Sequence, residues 1–198
     1  MQMDHAIECQ NVNKGEMIMV GIIMLGATNS GKSTIAKFVS NNLGIRYISS
    51  GDIARQMNVD DELAKGKLAP EDEMRNRIFS AIYENDRPFI LDGFPRFLDQ
   101  YKWLKSAIKC DMIFIQISVP DRHLLQRAIN RNRNDDNVDA VLEKVKFWYK
   151  ETVPMINDIL YEGEIVHNIN NANGTNVGRN MKAVNDIVKK FLKEEGLC

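Results

Sequence analysis

This chain of 198 residues has few cysteines and almost no net charge. The three cysteines, Cys9, Cys110 and Cys198, stand far apart and form neither a CxxC pair nor a zinc-ligand spacing. A disulfide framework and a zinc site are therefore poor expectations, and an odd cysteine count suits a reducing compartment. The 26 basic and 27 acidic side chains leave a net charge of −1. The chain therefore has no overall positive charge that would attract nucleic acid or an anionic membrane.

Long hydrophobic runs and targeting signals are also lacking. The longest apolar run, residues 17–25, is too short to span a bilayer. Residues 1–16 are polar and contain Asp4, Glu8 and Glu16, whereas a secretory signal needs an apolar stretch and a mitochondrial presequence avoids acids. The chain is 44% apolar and 27% charged, which is the composition of a globular protein. We therefore expect a cytoplasmic protein with an N-terminal extension (residues 1–16) and a single domain (residues 17–198).

Strands and helices alternate along the chain. Predicted strands cover residues 17–25, 47–48, 89–91, 112–119 and 164–169. Predicted helices cover residues 32–43, 52–57, 61–65, a segment that begins at Pro70, 96–108, 121–131, 138–160 with a kink at Pro154, and 181–192. Short, continuously apolar strands between helices predict an α/β fold with a parallel sheet covered on both faces. Ligands in such folds bind beyond the carboxyl ends of the strands, so the residues that follow each strand are the candidates for chemistry.

A phosphate-binding loop follows the first predicted strand. Residues 26–33 read G-A-T-N-S-G-K-S, which matches the pattern G-x-x-x-x-G-K-[ST]. The glycines let the backbone wrap closely around phosphate, while N–H groups and the helix N-terminus point at the anion. Lys32 can reach the β- and γ-phosphates, and Ser33 can ligate Mg²⁺. A glycine-rich turn that matches by chance is the alternative, but the position between a strand and a helix is the context that this motif requires.

Three further motifs follow in order. Residues 50–55 read S-G-D-I-A-R, residues 92–96 read D-G-F-P-R with Gln100 four residues on, and an arginine-containing segment ends in D-D-N at residues 135–137. With the phosphate-binding loop, they resemble the adenylate kinase family of nucleoside monophosphate (NMP) kinases over residues 17–192. The resemblance implies a P-loop NTPase fold, which is a five-stranded parallel sheet with helices on both faces. It also implies an NMP-binding flap at about residues 50–73 and a short lid at about residues 131–137.

The resemblance assigns roles to individual residues. It implies that ATP contacts Gly26, Ala27, Thr28, Asn29, Ser30, Gly31, Lys32, Ser33, Thr34 and Arg127, with Arg127 stacked on the adenine. It implies that the NMP contacts Ser50, Gly51, Arg55, Ala69, Gly93, Arg96 and Gln100. Catalytic roles on the transferring phosphoryl group fall to Lys32, Arg96, Arg131, Arg133 and Lys144. Ser33 and Asp92, the latter through water, would hold Mg²⁺. Taken singly, an arginine at a helix end is more often a solvated charge, but the ordered motifs favour the functional interpretation.

Three of these residues bear on the choice of NMP. Members of the family that accept AMP usually have glutamine where uridylate/cytidylate kinases have asparagine, so Gln100 favours adenine. Ser50 keeps the hydroxyl of the family's threonine, and Ala69 replaces a larger valine, which reduces an apolar contact to the base. We therefore expect AMP as the acceptor, with UMP, CMP or another (deoxy)nucleoside monophosphate as the alternative.

Two departures from the family pattern leave a further alternative open. Lys144 stands where the family has another catalytic arginine, and lysine is a point charge rather than a planar fork. The lid has a single residue between Arg131 and Arg133. An inactive nucleotide-binding sensor is therefore the alternative to an enzyme that transfers the γ-phosphoryl of ATP to AMP.

The resemblance also sets the expected partners. It implies ATP and AMP as substrates, Mg²⁺ as the cofactor and a monomeric protein, and neither nucleic acid nor membrane is expected as a partner. The segment at residues 170–178 matches a family loop whose backbone runs along the ATP adenine, although no single contacting residue can be assigned.

Overall fold

Five parallel strands form one sheet in the computed structural model, which describes residues 19–57, 68–85, 87–131, 138–172 and 175–197. The strands run in the spatial order β2-β3-β1-β4-β5. Their bounds are β1 Val20–Leu25, β2 Arg46–Ser49, β3 Phe89–Asp92, β4 Asp111–Ser118 and β5 Val166–Asn170. The register places Asp92 beside both Met24 and Ser49, so β1, β2 and β3 end at one edge of the sheet. The predicted parallel α/β fold is confirmed.

Helices connect the strands and cover the sheet. They are α1 Lys32–Leu43, α2 Ser50–Gln56, α3 Glu71–Tyr83, α4 Leu98–Ala107, α5 Asp121–Arg131, α6 Val138–Phe147, α7 Val153–Tyr161 and α8 Val177–Glu194. Helix α2 begins two residues earlier than predicted, because the Ser49 side chain accepts a hydrogen bond from the Asp52 N–H and caps it. Helix α4 begins two residues later than predicted, which leaves Arg96 in the loop after β3.

The hydrophobic core lies on both faces of the sheet. On one face, strand side chains such as Ile23 and Leu91 pack against α2, α3, α4 and α7. On the other face, Ile22 and Ile115 pack against α1 and α8. All six residues of β1 are buried, which explains why this strand reads as a continuous apolar run rather than an alternating one.

The helical stretch before β5 is not one regular helix. Residues Trp148–Thr152 form a π-helical turn between α6 and α7, and Pro154 follows directly in the first turn of α7. Proline lacks the N–H that a regular helix would use, and inserted π turns are one way in which a helix accommodates such a loss. The predicted long helix over residues 138–160 is thus continuous through α6, the π-helical turn and α7, and it departs from regular α-helix next to Pro154.

Some predicted elements lie outside the described residues. These are the short helix at 61–65, the N-terminal extension at 1–16 and the lid beyond Arg131, so their extents stay predictions. Within the described part of the chain, no helix has the length and apolar character that a membrane crossing requires.

Candidate active site

A cavity of about 600 Å³ opens at the carboxyl ends of β1, β2 and β3. Nearly all of the residues singled out in the sequence line it. From the phosphate-binding loop these are Gly26, Ala27, Thr28, Asn29, Gly31, Lys32, Ser33 and Thr34, and from the rest of the chain Ser50, Gly51, Arg55, Ala69, Asp92, Gly93, Arg96, Gln100, Arg127 and Lys144. Ser30 is fully buried behind the loop. Segments far apart in the chain thus converge on one site.

The phosphate-binding loop takes the conformation that its motif requires. Gly31 has φ 89° and stands immediately before α1, which begins at Lys32. A side chain at Gly31 would be strained by this φ, and its Cβ would lie 2.6 Å from Nδ2 of Asn171. The Lys32 ammonium donates a hydrogen bond to the Ala27 carbonyl at 3.4 Å and so reaches back over the loop. The loop and the first turn of α1 therefore form a cradle suited to phosphate.

Arg127 and Asn171 line the cavity and hold this loop through hydrogen bonds to its main chain. The Arg127 guanidinium donates to the carbonyl oxygens of Asn29 (3.3 Å), Ser30 (3.1 Å) and Asn171 (2.6 Å). The buried Asn171 amide donates to the Ser30 carbonyl at 2.8 Å, and its Oδ1 accepts from Asn180 at 2.9 Å. Burial lowers the pKa of Arg127. We call Gly26–Thr34 together with Arg127 and Asn171 the phosphate-loop side of the cavity.

Asp92 is a buried carboxylate at the end of β3. Its Oδ2 accepts a hydrogen bond from the Tyr47 hydroxyl at 2.7 Å, while its Oδ1 is buried without a hydrogen-bond partner among the described residues. Burial raises the pKa of Tyr47, and the neighbouring Asp92 charge raises it further. Tyr47 therefore stays protonated and keeps donating to the carboxylate.

The donor set around Asp92 suits Mg²⁺. Hard divalent cations bind through carboxylate and hydroxyl oxygens, and both Asp92 and Ser33 line the cavity. In the described ranges, no group of three or more His, Cys, Asp and Glu residues could hold a metal by itself. This arrangement fits Mg²⁺ that keeps several waters and is bound mainly through substrate phosphates, as is usual for phosphoryl-transfer sites.

Arg96 is anchored in the loop after β3. Its Nε donates to the Gly93 carbonyl at 2.7 Å, and its own carbonyl accepts from the Thr152 hydroxyl at 2.6 Å. Burial lowers the pKa of Arg96, and the Asp92 carboxylate acts in the opposite direction. Thr152 lies in the π-helical turn between α6 and α7, so its hydrogen bond connects this turn to the loop after β3.

The opposite wall of the cavity comes from α2, the segment before α3, and α4. The buried Ser50 hydroxyl donates to the Gly93 carbonyl at 2.7 Å. Gly93 has φ 82°, and a Cβ at this position would lie 2.7 Å from the Ser50 hydroxyl oxygen, so a side chain would not fit there. Arg55 is ion-paired with Asp52 one turn earlier on α2. We call the wall formed by Ser50, Gly51, Arg55, Ala69 and Gln100 the flap side.

Gln100 is held at both ends of its amide. Its Oε1 accepts from the Arg96 N–H at 2.7 Å, and its Nε2 donates to Glu71 Oε2 at 2.7 Å. Glu71 in turn accepts from Arg75 Nε at 2.6 Å. The side chain is 3% exposed, yet it lines the cavity. Gln100 therefore presents a fixed amide to whatever occupies the flap side.

Three cationic candidates remain, of which Lys144 and Arg131 fall within the described residues. Lys144 lies in the last turn of α6 and lines the cavity. Arg131 is the last residue of α5, but its side chain is outside the description, and Arg133 lies outside the described residues altogether. Their roles in phosphoryl transfer stay predictions.

Four residues that support the site through side-chain hydrogen bonds were not predicted from the sequence. Tyr47, Glu71, Thr152 and Asn171 each bond to a residue that the motifs identified. None of them belongs to a recognisable motif, because each acts across a contact between distant segments. The resemblance did point to the segment containing Asn171, but not to this residue.

Comparisons with known proteins agree with this geometry. The adenylate kinase family model matches residues 24–166. The chain is similar to an adenylate kinase from Corynebacterium urealyticum, with 32% identity over 162 residues that cover 74% of this chain and 88% of the relative. It is also similar to an adenylate kinase from Porphyromonas gingivalis (26% identity; 76% of this chain and 87% of the relative) and to adenylate kinase 1 from Synechocystis (31%; 69% and 81%).

Proposed function

The chain belongs to the adenylate kinase family, and we propose that, as an ATP-dependent nucleoside monophosphate kinase, it transfers the γ-phosphoryl group of ATP reversibly to AMP, giving two ADP. The family makes it a nucleoside monophosphate kinase, and the proposal concerns the acceptor, the roles of individual residues and the use of Mg²⁺. The single observation that supports it best is the convergence of the phosphate-binding loop, Asp92, Arg96 and Gln100 on one cavity.

Catalysis in this site is positioning and charge neutralisation, since phosphoryl transfer needs little covalent help from the protein. The phosphate-binding loop and Lys32 hold the β- and γ-phosphates of ATP. Arg55 and Arg96 hold the phosphate of AMP, because their planar guanidinium groups can pair with two phosphate oxygens at once. An oxygen of the AMP phosphate attacks the γ-phosphorus, the bond from that phosphorus to the bridging oxygen of the β-phosphate breaks, and ADP leaves with that oxygen.

In this proposal Ser33 and Asp92 would hold Mg²⁺, the latter through water. The bound ion would supply positive charge beside the phosphate oxygens. Asp92 suits this role because its Oδ1 is buried with no hydrogen-bond partner in the described ranges, while Tyr47 orients Oδ2. Lys144, Arg131 and Arg133 complete the set of cations around the transferring phosphoryl group.

Adenine is the proposed base because Gln100 offers both a donor and an acceptor. A site with fixed polar groups penalises a base that leaves them unpaired. Ala69 is buried beside the cavity and is smaller than the valine expected there, so the apolar part of the base pocket is less restrictive. AMP is therefore the preferred rather than the exclusive acceptor.

A substrate panel tests the proposal. ADP formation from Mg-ATP is measured with AMP, UMP, CMP, GMP and dAMP in turn, beside a reaction without acceptor. Turnover highest with AMP is the expected result. A clear preference for UMP, CMP or GMP would overturn the choice of acceptor, and ADP formed equally without acceptor would indicate an ATPase. Tight ATP binding without turnover of any monophosphate would instead support the nucleotide sensor.

The proposal extends to the oligomeric state and the cellular location of the protein. We predict a monomer that acts in the cytoplasm, where ATP and AMP are both present. Sedimentation velocity at micromolar concentration tests the monomer directly.

A further inference from the structure

We infer that Glu71 is a positioning residue that locks the amide orientation of Gln100 and thereby sets which nucleobases the flap side accepts. The inference rests on the proposed function, because it deepens the choice of acceptor at the same site. Glu71 itself is not among the residues that line the cavity. It therefore acts through Gln100 rather than by touching the base.

The two bonds of Gln100 leave only one favourable orientation of its amide. The Arg96 N–H is a donor and the Glu71 carboxylate is an acceptor, so Oε1 must face the first and Nε2 the second. In the flipped orientation, Nε2 of Gln100 would face the Arg96 N–H, so that two donors meet. Its Oε1 would face the Glu71 carboxylate, so that two acceptors meet. Because the side chain is 3% exposed, water cannot readily compensate those mismatches.

Glu71 is itself held in place. Its Oε1 accepts from Arg75 at 2.6 Å, and the Arg75 guanidinium lies 5.8 Å from the ring centroid of Trp103. The Glu71 and Arg75 side chains are 30% and 24% exposed, so this pair is better shielded than the Glu73–Arg77 pair of the same helix, which is 48% and 42% exposed. Trp103, Arg75, Glu71 and Gln100 therefore form a chain of contacts that ends at the cavity.

A locked amide discriminates between two classes of base. Adenine and cytosine place an amino donor next to a ring-nitrogen acceptor, whereas hypoxanthine and uracil place a carbonyl acceptor next to a ring N–H donor. One orientation of Gln100 complements one of these patterns, and only the flipped orientation complements the reverse. If AMP is the acceptor, as proposed above, the orientation that Glu71 fixes is the one that complements adenine. Loss of the lock would then reduce the preference for AMP over IMP, the monophosphate of hypoxanthine.

The test compares Glu71→Leu with Glu73→Leu. Leucine leaves no acceptor, whereas glutamine would keep a carbonyl oxygen for Gln100 Nε2. Both substitutions remove one carboxylate from the first turn of α3, but only Glu71 contacts Gln100. The readout is the ratio of kcat/KM for AMP to that for IMP. We expect Glu71→Leu to lower this ratio about tenfold, and Glu73→Leu to leave it within about twofold. The KM for ATP should stay within about twofold in both variants.

Equal ratios in the wild type, Glu71→Leu and Glu73→Leu would overturn the inference. Calorimetric dissociation constants for AMP and IMP, measured without ATP, give the same ratio without turnover, so failure of the proposed kinase reaction remains distinguishable from failure of the lock. Glu71→Asp serves as a second variant, because it retains the charge but shortens the reach to Gln100. A smaller loss in the same direction is expected, and an unchanged ratio with both Glu71 variants folded would contradict the lock.

Discussion

The longer polar side chains on the two sides of the cavity donate to different kinds of acceptor. On the phosphate-loop side, Arg127 and Asn171 donate to main-chain carbonyl oxygens of the loop and of the segment after β5. On the flap side, Ser50 donates to the Gly93 carbonyl, but Arg55 and Gln100 donate to the carboxylates of Asp52 and Glu71. Carbonyls are fixed by the fold, whereas carboxylates move with their own side chains.

This difference indicates how each side responds to its substrate. The phosphate loop is held in shape by the tertiary structure before any nucleotide arrives, which favours tight binding of phosphate without rearrangement. On the flap side, the ion pair of Arg55 with Asp52 is exposed and is therefore weak. We expect Arg55 to exchange Asp52 for the phosphate of AMP at little energetic cost.

The largest effect is expected from Lys32→Met, which removes the ammonium that we propose binds phosphate on the phosphate-loop side. We predict a fall in kcat/KM on the order of 10³-fold, because in this proposal the ammonium stabilises charge on the transferring phosphoryl group. Lys102→Met is the control, since Lys102 is exposed on α4 and does not line the cavity. Steady-state kinetics with Mg-ATP and AMP measure both, and similar losses in the two variants would contradict the role of Lys32.

Asn171→Ala tests whether the phosphate-loop side depends on its buried support. The substitution leaves the Ser30 carbonyl without one donor and the Asn180 amide without one acceptor, so we predict a loss of about 2 kcal/mol in the free energy of unfolding. The KM for ATP should rise several-fold, with the KM for AMP nearly unchanged. Asn42→Ala, which removes an exposed bond to Asn185, should cost less than about 0.5 kcal/mol. Equal changes in both KM values for Asn171→Ala would contradict the independence of the two sides.

Lys144→Arg tests a residue that belongs to neither side. Lys144 lines the cavity from α6, and a guanidinium at this place could pair with two phosphate oxygens where an ammonium offers a point charge. We predict a several-fold higher kcat in single-turnover and steady-state assays. An unchanged or lower kcat would mean that Lys144 does not act on the transferring phosphoryl group. Lys146→Arg is the control, because Lys146 pairs with Glu143 on the surface.

The smallest effect concerns Tyr47, which connects β2 to the Asp92 carboxylate. Its folded-state pKa lies above the ordinary value of 10.0, so above pH 10 the unfolded chain loses this proton first and stability falls as pH rises. Tyr47→Phe should remove this part of the decline. Between about pH 9 and pH 10.5, the free energy of unfolding should fall by at most about 0.8 kcal/mol more in the wild type than in Tyr47→Phe. Solvent screening of the half-buried phenol makes this figure an upper bound. Urea unfolding at the two pH values measures it, and a decline as steep as in the wild type would rule out this effect.

Most residues of the candidate site could be predicted from short sequence motifs. The phosphate-binding loop, Asp92, Arg96 and Gln100 belong to motifs whose members are close in sequence, and local spacing is enough to identify them. The parallel sheet was predictable for a similar reason, because short apolar runs between amphipathic helices have few other ways to bury both faces. The interruption before Pro154 was located roughly, but its π-helical form depends on packing that no local pattern reveals.

The supporting contacts depend on folding instead. Asn171 reaches Ser30 across 141 positions of sequence, and Tyr47 reaches Asp92 across 45, so neither partner is visible in a local pattern. Glu71 looks like an ordinary acid in the first turn of a helix until α3 and α4 are packed side by side and its carboxylate meets Gln100. Chemical groups that touch phosphate follow from short motifs, whereas the groups that orient them follow from which surfaces the core brings into contact.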